Sequence, residues 1–201
     1  MEKYKKVDIV LDPAHDDLTP GKRSPDGRHR EYKWSRMICS ELDIVLRALK
    51  YNVYFTTSTN DRLPLAGRRK FAENLKSDNP KLLLSIHNNA AGDGSDWKNA
   101  RGVEIFTREG VDKADLFADI LFDKVKEWFP NIKHRYASDE LYKRDKENKL
   151  YMTNSSLYWG VLLEWLFQDN KDDLLILENV KFNKALVDCI VDAVEEFNNK
   201  I

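Results

Sequence analysis

The sequence predicts an α/β fold: a single domain built on a mostly parallel, twisted mixed sheet of about six strands, with helices on both faces. Short apolar runs alternate along the chain with longer segments whose apolar residues recur every three or four positions. Three runs, at residues 7–11, 82–86 and 161–164, are nearly all apolar, so we expect central strands there. No repeat, low-complexity stretch or linker divides residues 1–201.

The elements of the first half follow from local patterns. The β-branched run at residues 7–11 stops at an Asp-Pro turn, and a polar loop occupies residues 16–30. Apolar residues at i, i+3 and i+4 then mark a helix that begins at Glu31. The pattern next predicts a strand at 51–57, a helix at 65–75 and a strand at 81–86 that leads into His87.

The second half begins with a polar loop over residues 88–100. The remaining pattern predicts a strand at 102–106, a helix at 111–128, a strand within 158–167 and a final helix at 182–197. Residues 131–149 are highly charged and weakly periodic, so we expect a solvated loop there, with the wall of a binding cleft as the alternative.

Composition excludes several classes of protein. The 33 Lys and Arg residues nearly balance the 34 Asp and Glu residues, so charge gives no reason to expect nucleic acid as a partner. No apolar run approaches the roughly 18–20 residues that a membrane span needs. The charged N-terminus does not resemble a signal peptide, which predicts synthesis in the cytoplasm. Cys39 and Cys189 fall on the apolar sides of predicted helices, which favours buried free thiols over a disulfide.

Four residues form a candidate reactive site. His15 and His87 each lie where a predicted strand ends, and the carboxyl ends of parallel strands meet at one edge of a sheet. Glu31 heads the first helix and would join them if the preceding loop returns to that edge. Two histidines and a glutamate would hold Zn²⁺ and leave a fourth position for water. Glu164 interrupts an apolar strand, and burial there would raise the pKa of its carboxyl group. A raised pKa suits a group that acts first as a general base and then as a general acid.

Each of these residues also has a simpler interpretation. A single histidine near a strand end is more often structural or on the surface. Glu31 is also a carboxylate favoured by the positive end of a helix dipole, and Glu164 would be stable in an ion pair with an arginine. His29, in a basic and polar setting close to Glu31, is predicted to be a solvated loop residue rather than a ligand. Spacing alone therefore leaves the zinc site a hypothesis.

Five segments, in order, resemble the zinc-dependent N-acetylmuramoyl-L-alanine amidases of the amidase_3 type, which cut peptidoglycan. The resemblance covers nearly the whole chain and implies that His15, Glu31 and His87 hold one Zn²⁺ per chain, with Glu164 as the catalytic carboxylate. The segments are IVLDPAH at residues 9–15, SPDG at 24–27 leading to Glu31, SIHNNA at 85–90, GVEI at 102–105, and VLLE at 161–164 followed by Phe167 and Asn170.

The chain departs from the family pattern beside these segments. The differing residues are Ala14, Asp16, Asp17, Asn88, Trp165 and Gln168. The two aspartates are expected to add a hydrogen-bond partner for a histidine or to reshape the cleft. Arg68 stands where the family has a Glu-Arg pair, and a structural ion pair is the preferred interpretation. Because all four chemical positions are intact, we expect an altered substrate preference rather than lost activity.

The resemblance implies hydrolysis of the amide between the muramoyl lactyl group and L-alanine of the stem peptide. The alternatives are a zinc peptidase that cuts within the stem peptide and a non-catalytic peptidoglycan-binding module. We expect residues 1–201 to be one catalytic domain without a separate cell-wall-binding domain, and a monomer. The enzyme would act at the cell wall, in the manner of an autolysin or a phage endolysin whose release needs a helper.

Overall fold

A computed structural model describes residues 6–58 and 62–201. Within these ranges the strands are β1 (Asp8–Pro13), β2 (Val53–Phe55), β3 (Lys81–Asn89), β4 (Glu104–Thr107), β5 (Lys146–Glu147) and β6 (Trp159–Phe167). The helices are α1 (Glu31–Ala48), α2 (Leu65–Asn74), α3 (Lys113–Trp128), α4 (Lys171–Leu177) and α5 (Val180–Lys200). Among the described residues, none of these helices is long and apolar enough to cross a bilayer.

The six strands form one sheet in the order β2-β1-β3-β6-β4-β5, with only the β4–β6 pair antiparallel. The three runs predicted to be central occupy β1, β3 and β6, and β1 and β6 flank β3. The mixed, mostly parallel sheet is therefore confirmed. Its order places the carboxyl ends of β1, β3 and β6 side by side, which is where the candidate residues gather.

Alternate residues of the central strands face two different hydrophobic clusters. Ile9 and Leu84 join the main core together with buried residues of α1, α3 and α5. Val10 and Leu83 point the other way and pack in a smaller cluster with Ala72 of α2. Side chains alternate across a strand, so an apolar run with both phases buried needs helices on both faces. The structure confirms this prediction.

Two short elements have no counterpart in the sequence prediction. Helix α4 has seven residues, too few for a clear helical period, and begins where the Asn170 side chain accepts hydrogen bonds from two backbone amides. Strand β5 has two residues and lies in the charged stretch. The expectation of a solvated loop over residues 131–149 holds for most of this segment, which is irregular and largely exposed. Ion pairs nevertheless anchor it to α3, where Arg144 binds Asp119 and Asp123.

The two cysteines have the predicted environment. Cys39 lies on α1 and Cys189 on α5, and both are buried and free. Burial raises the pKa of each thiol, so both stay protonated in the core.

Candidate metal centre

The structure brings three of the four predicted residues into direct contact. The rings of His15 and His87 lie edge to face with their centroids 4.9 Å apart. Glu31, the first residue of α1, directs Oε1 between them, 3.0 Å from His87 Nδ1 and 3.3 Å from His15 Nε2. One possible ligand atom from each residue lies within 4.8 Å of the others. The group could therefore hold a metal ion.

The charges of this group suit a cation. Burial alone raises the pKa of Glu31, but the interactions of its carboxylate with His15 and His87 outweigh this effect and hold the pKa well below its usual value. Burial lowers the pKa of His15, which favours the neutral imidazole that a metal requires. Burial acts the same way on His87, but the hydrogen bond with Glu31 and the charge of Glu164 raise its pKa overall.

Glu164 lies beside the histidines on the adjacent strand. It is in register with His87 of β3, and register neighbours share a face of the sheet. Its Oε2 is buried and has no hydrogen-bond partner among the described residues. Burial is the main reason that its pKa rises to about 7; the charge of His87 opposes the rise, and that of Glu31 adds to it. Such a carboxyl exchanges a proton readily near neutral pH.

Two arginines hold the backbone that carries His15. His15 has a backbone φ of 49°, in the left-handed region that residues other than glycine rarely adopt. Its carbonyl oxygen accepts hydrogen bonds from Arg36 Nη2 at 3.0 Å and Arg68 Nη2 at 2.9 Å. Arg68 also forms a buried ion pair with Asp12, at 3.3 Å. The structural ion pair predicted for Arg68 is confirmed.

One prediction near the site is wrong. His29 was expected in solvent, yet its side chain is buried and its Nε2 lies 2.8 Å from Asn88 Oδ1. Asn88 Nδ2 donates to the carbonyl oxygen of Trp165 at 2.8 Å, which links the loop before α1 to β3 and β6. The basic neighbours of His29 in sequence gave no sign of this partner 59 positions away.

Three other departures from the family pattern, Gln168, Asp16 and Asp17, have different contacts. Gln168 reaches the centre, where its Nε2 donates to Glu31 Oε2 at 2.9 Å. Among the contacts that the structure describes, the two aspartates bind elsewhere: Asp16 accepts a hydrogen bond from Thr19, and Asp17 pairs with Arg62 on the surface. Asp16 also lines the cleft, as its expected role in shaping the cleft requires. Sequence reasoning noted Gln168 but gave it no role.

A cleft of about 370 Å³ adjoins the two histidines. Its lining includes the polar side chains of Asp12, His15, Asp16, Thr19, Arg68, His87 and Tyr151. The rest is mainly apolar, and is lined by Leu63, Pro64, Leu65, Leu150, Met152 and Leu162. A partly apolar cleft with a few convergent polar groups is typical of a substrate site.

A family model matches residues 9–196, and its description is N-acetylmuramoyl-L-alanine amidase (Amidase_3). No curated protein sequence matches the chain.

Solved structures share the fold. The catalytic domain of the amidase CwlV from Bacillus (Paenibacillus) polymyxa var. colistinus has a TM-score of 0.77 and 21% identity, with 97% of this chain and 99% of that chain covered. The amidase AmiC2 of Nostoc punctiforme has a TM-score of 0.78 and 18% identity, with 97% and 98% covered. The catalytic domain of the CD27L endolysin, which targets Clostridia difficile, has a TM-score of 0.65 and 20% identity, with 94% and 97% covered. With the family match over nearly its whole length, the chain belongs to the Amidase_3 family of N-acetylmuramoyl-L-alanine amidases, enzymes that act on peptidoglycan.

Proposed function

We propose that His15, Glu31 and His87 hold a catalytic Zn²⁺. Two imidazoles and one carboxylate form a donor set that catalytic zinc sites use, and three protein ligands leave a position open for water. The buried Nε2 of His15 supports the fit, because it points at Glu31 without making a well-directed hydrogen bond to any described residue. A bound cation would also compensate the buried charge of Glu31.

We further propose that this site hydrolyses the amide between the muramoyl lactyl group and L-alanine. A bound Zn²⁺ supplies Lewis acidity, which lowers the pKa of water and polarises the carbonyl of the scissile amide. Glu164 accepts a proton at Oε2 from the water that attacks the carbonyl carbon. Glu164 then returns the proton to the nitrogen as the C–N bond breaks, which releases the lactyl carboxyl group and the free amine of L-alanine.

The observation that supports the catalytic role is the position of Glu164: it pairs in register with His87, and its Oε2 has no hydrogen-bond partner in the part of the chain that the structure describes. The cleft beside the histidines offers apolar walls for the lactyl and alanyl methyl groups. We propose that the 201 residues act as one catalytic domain, as a monomer, and that they act at the cell wall.

Digestion of purified sacculi tests the reaction. The proposal expects glycan strands without peptides and intact stem peptides with a free N-terminal alanine, both identified by mass spectrometry. Cleavage products within the stem peptide would show a zinc peptidase instead, and binding without any product would show a non-catalytic module. Chelation should abolish the activity and added Zn²⁺ restore it; full activity in zinc-free protein would refute the metal assignment.

A further inference from the structure

The two carboxylate oxygens of Glu31 have different partners. Oε1 lies between the imidazoles of His15 and His87, and it also accepts a hydrogen bond from the backbone amide of Asn88 at 3.2 Å. Oε2 accepts a hydrogen bond from the side chain of Gln168 at 2.9 Å, across 137 positions of sequence. The carboxylate therefore presents one oxygen to the histidines, while a neutral side chain holds the other.

Gln168 is fixed at the end of β6. Its side chain is fully buried, and its backbone amide donates to the carbonyl oxygen of Asn89 at 2.9 Å, which ties it to β3. Since an ionised carboxylate only accepts hydrogen bonds, the amide group must turn its NH₂ toward Glu31. The Oε1 atom of Gln168 is then left buried without a partner among the described residues. An apolar side chain would avoid that unsatisfied oxygen, so the hydrogen bond to Glu31 is the interaction that favours glutamine here.

We propose that Gln168 is a positioning residue for the metal centre: it holds Glu31 Oε2 so that Glu31 binds the ion through Oε1 alone. This inference rests on the proposed zinc site. Groups that hydrogen-bond to metal ligands fix their orientation, and their loss commonly weakens metal binding by roughly 10–100-fold. A free Oε2 would be able to swing toward the ion and add a fifth ligand atom.

The test compares wild type with Gln168→Met and Gln168→Leu, two variants that keep similar volume and remove the donor. The matched control is Asn183→Leu, which removes a buried amide whose partners, Trp34 and Leu177, lie outside the centre. For each protein, the Zn²⁺ Kd is measured by competition with a chromogenic chelator. The visible spectrum of the Co²⁺-loaded protein reports the coordination number, and thermal unfolding of the metal-free protein reports stability.

We expect both Gln168 variants to bind Zn²⁺ roughly 10–100-fold more weakly than wild type. Their Co²⁺ spectra should be weaker in the visible region, as expected for a higher coordination number. Asn183→Leu should change only the unfolding temperature. An unchanged Kd and spectrum in both Gln168 variants, or an equal loss of affinity in Asn183→Leu, would overturn the positioning role. Failure of wild type to bind Zn²⁺ would instead refute the proposed metal site itself.

Discussion

Replacement of Arg68 by methionine should destabilise the protein far more than its place on a short helix indicates. Arg68 is 3% exposed. Its guanidinium pairs with Asp12 and donates to the carbonyl oxygens of Leu63, Pro13 and His15. Methionine retains most of the volume, so the change chiefly removes charge and hydrogen bonds.

The magnitude follows from what the substitution leaves behind. Removal of one partner of a buried ion pair costs about 3–5 kcal/mol, because the remaining charge stays buried without compensation. Asp12 is 1% exposed but keeps hydrogen bonds from Thr56 and Ser85. These two donors retain part of its stabilisation, so we expect a loss near the lower end, about 3 kcal/mol in the free energy of unfolding.

Urea denaturation followed by circular dichroism measures the loss, and Arg69→Met provides the control. Arg69 is the next residue of the same helix, and it pairs with Glu73 at 2.8 Å where both side chains are 26% exposed. A partly exposed pair of this kind contributes about 1 kcal/mol or less, well below the loss expected for the buried pair. The reasoning fails if Arg68→Met costs no more than Arg69→Met.

Three further predictions address catalysis, ionisation and backbone conformation. Glu164→Gln should lower kcat by roughly 10²–10⁴-fold while Zn²⁺ binding is retained, as measured by turbidity of cell-wall suspensions and metal content; full activity would exclude the proposed base. Burial is the main reason that the folded-state pKa of Asp115 rises from 3.8 to about 7, and the charge of Asp145 adds to it. Because this pKa is raised, folding favours the protonated form, and a penalty of up to about 4 kcal/mol develops as pH rises from 4 to 7. Asp115→Asn should therefore be more stable than wild type at pH 8 and lose that advantage toward pH 4, and equal urea midpoints of the two proteins at pH 8 would contradict this. At Gly102, φ is +108° and an added Cβ would lie 2.2 Å from the carbonyl oxygen of Lys133, whereas at Gly110, with φ +90°, it would meet nothing within 4 Å. Both alanine variants carry about 1–2 kcal/mol of strain from the left-handed backbone conformation. Because only Gly102→Ala adds a steric clash, it should unfold at a clearly lower temperature than Gly110→Ala. Equal melting temperatures of the two variants would show that the backbone relieves the clash at no cost.

Local sequence patterns predict most of the helices and strands of the fold. The central strands are recognisable because both of their faces are apolar, and helices such as α1 and α5 are long enough for the 3.6-residue period to be clear. The elements that were missed, α4 and β5, are too short to show any period. Their formation depends on partners elsewhere, such as the Asn170 cap and the pairing of β5 with β4.

The sequence by itself singled out the residues that we propose for the chemistry, His15, Glu31, His87 and Glu164. They stand at strand ends, at a helix start and within an apolar run, and the segments around them match the family pattern. Only the tertiary structure decided what surrounds them. His29 is buried against Asn88, and Gln168 donates a hydrogen bond to Glu31. These contacts join residues 59 and 137 positions apart, so local sequence patterns do not reveal them. Local sequence sets the backbone pattern and the face of each side chain, whereas partners this distant are fixed only when the strands align in one sheet.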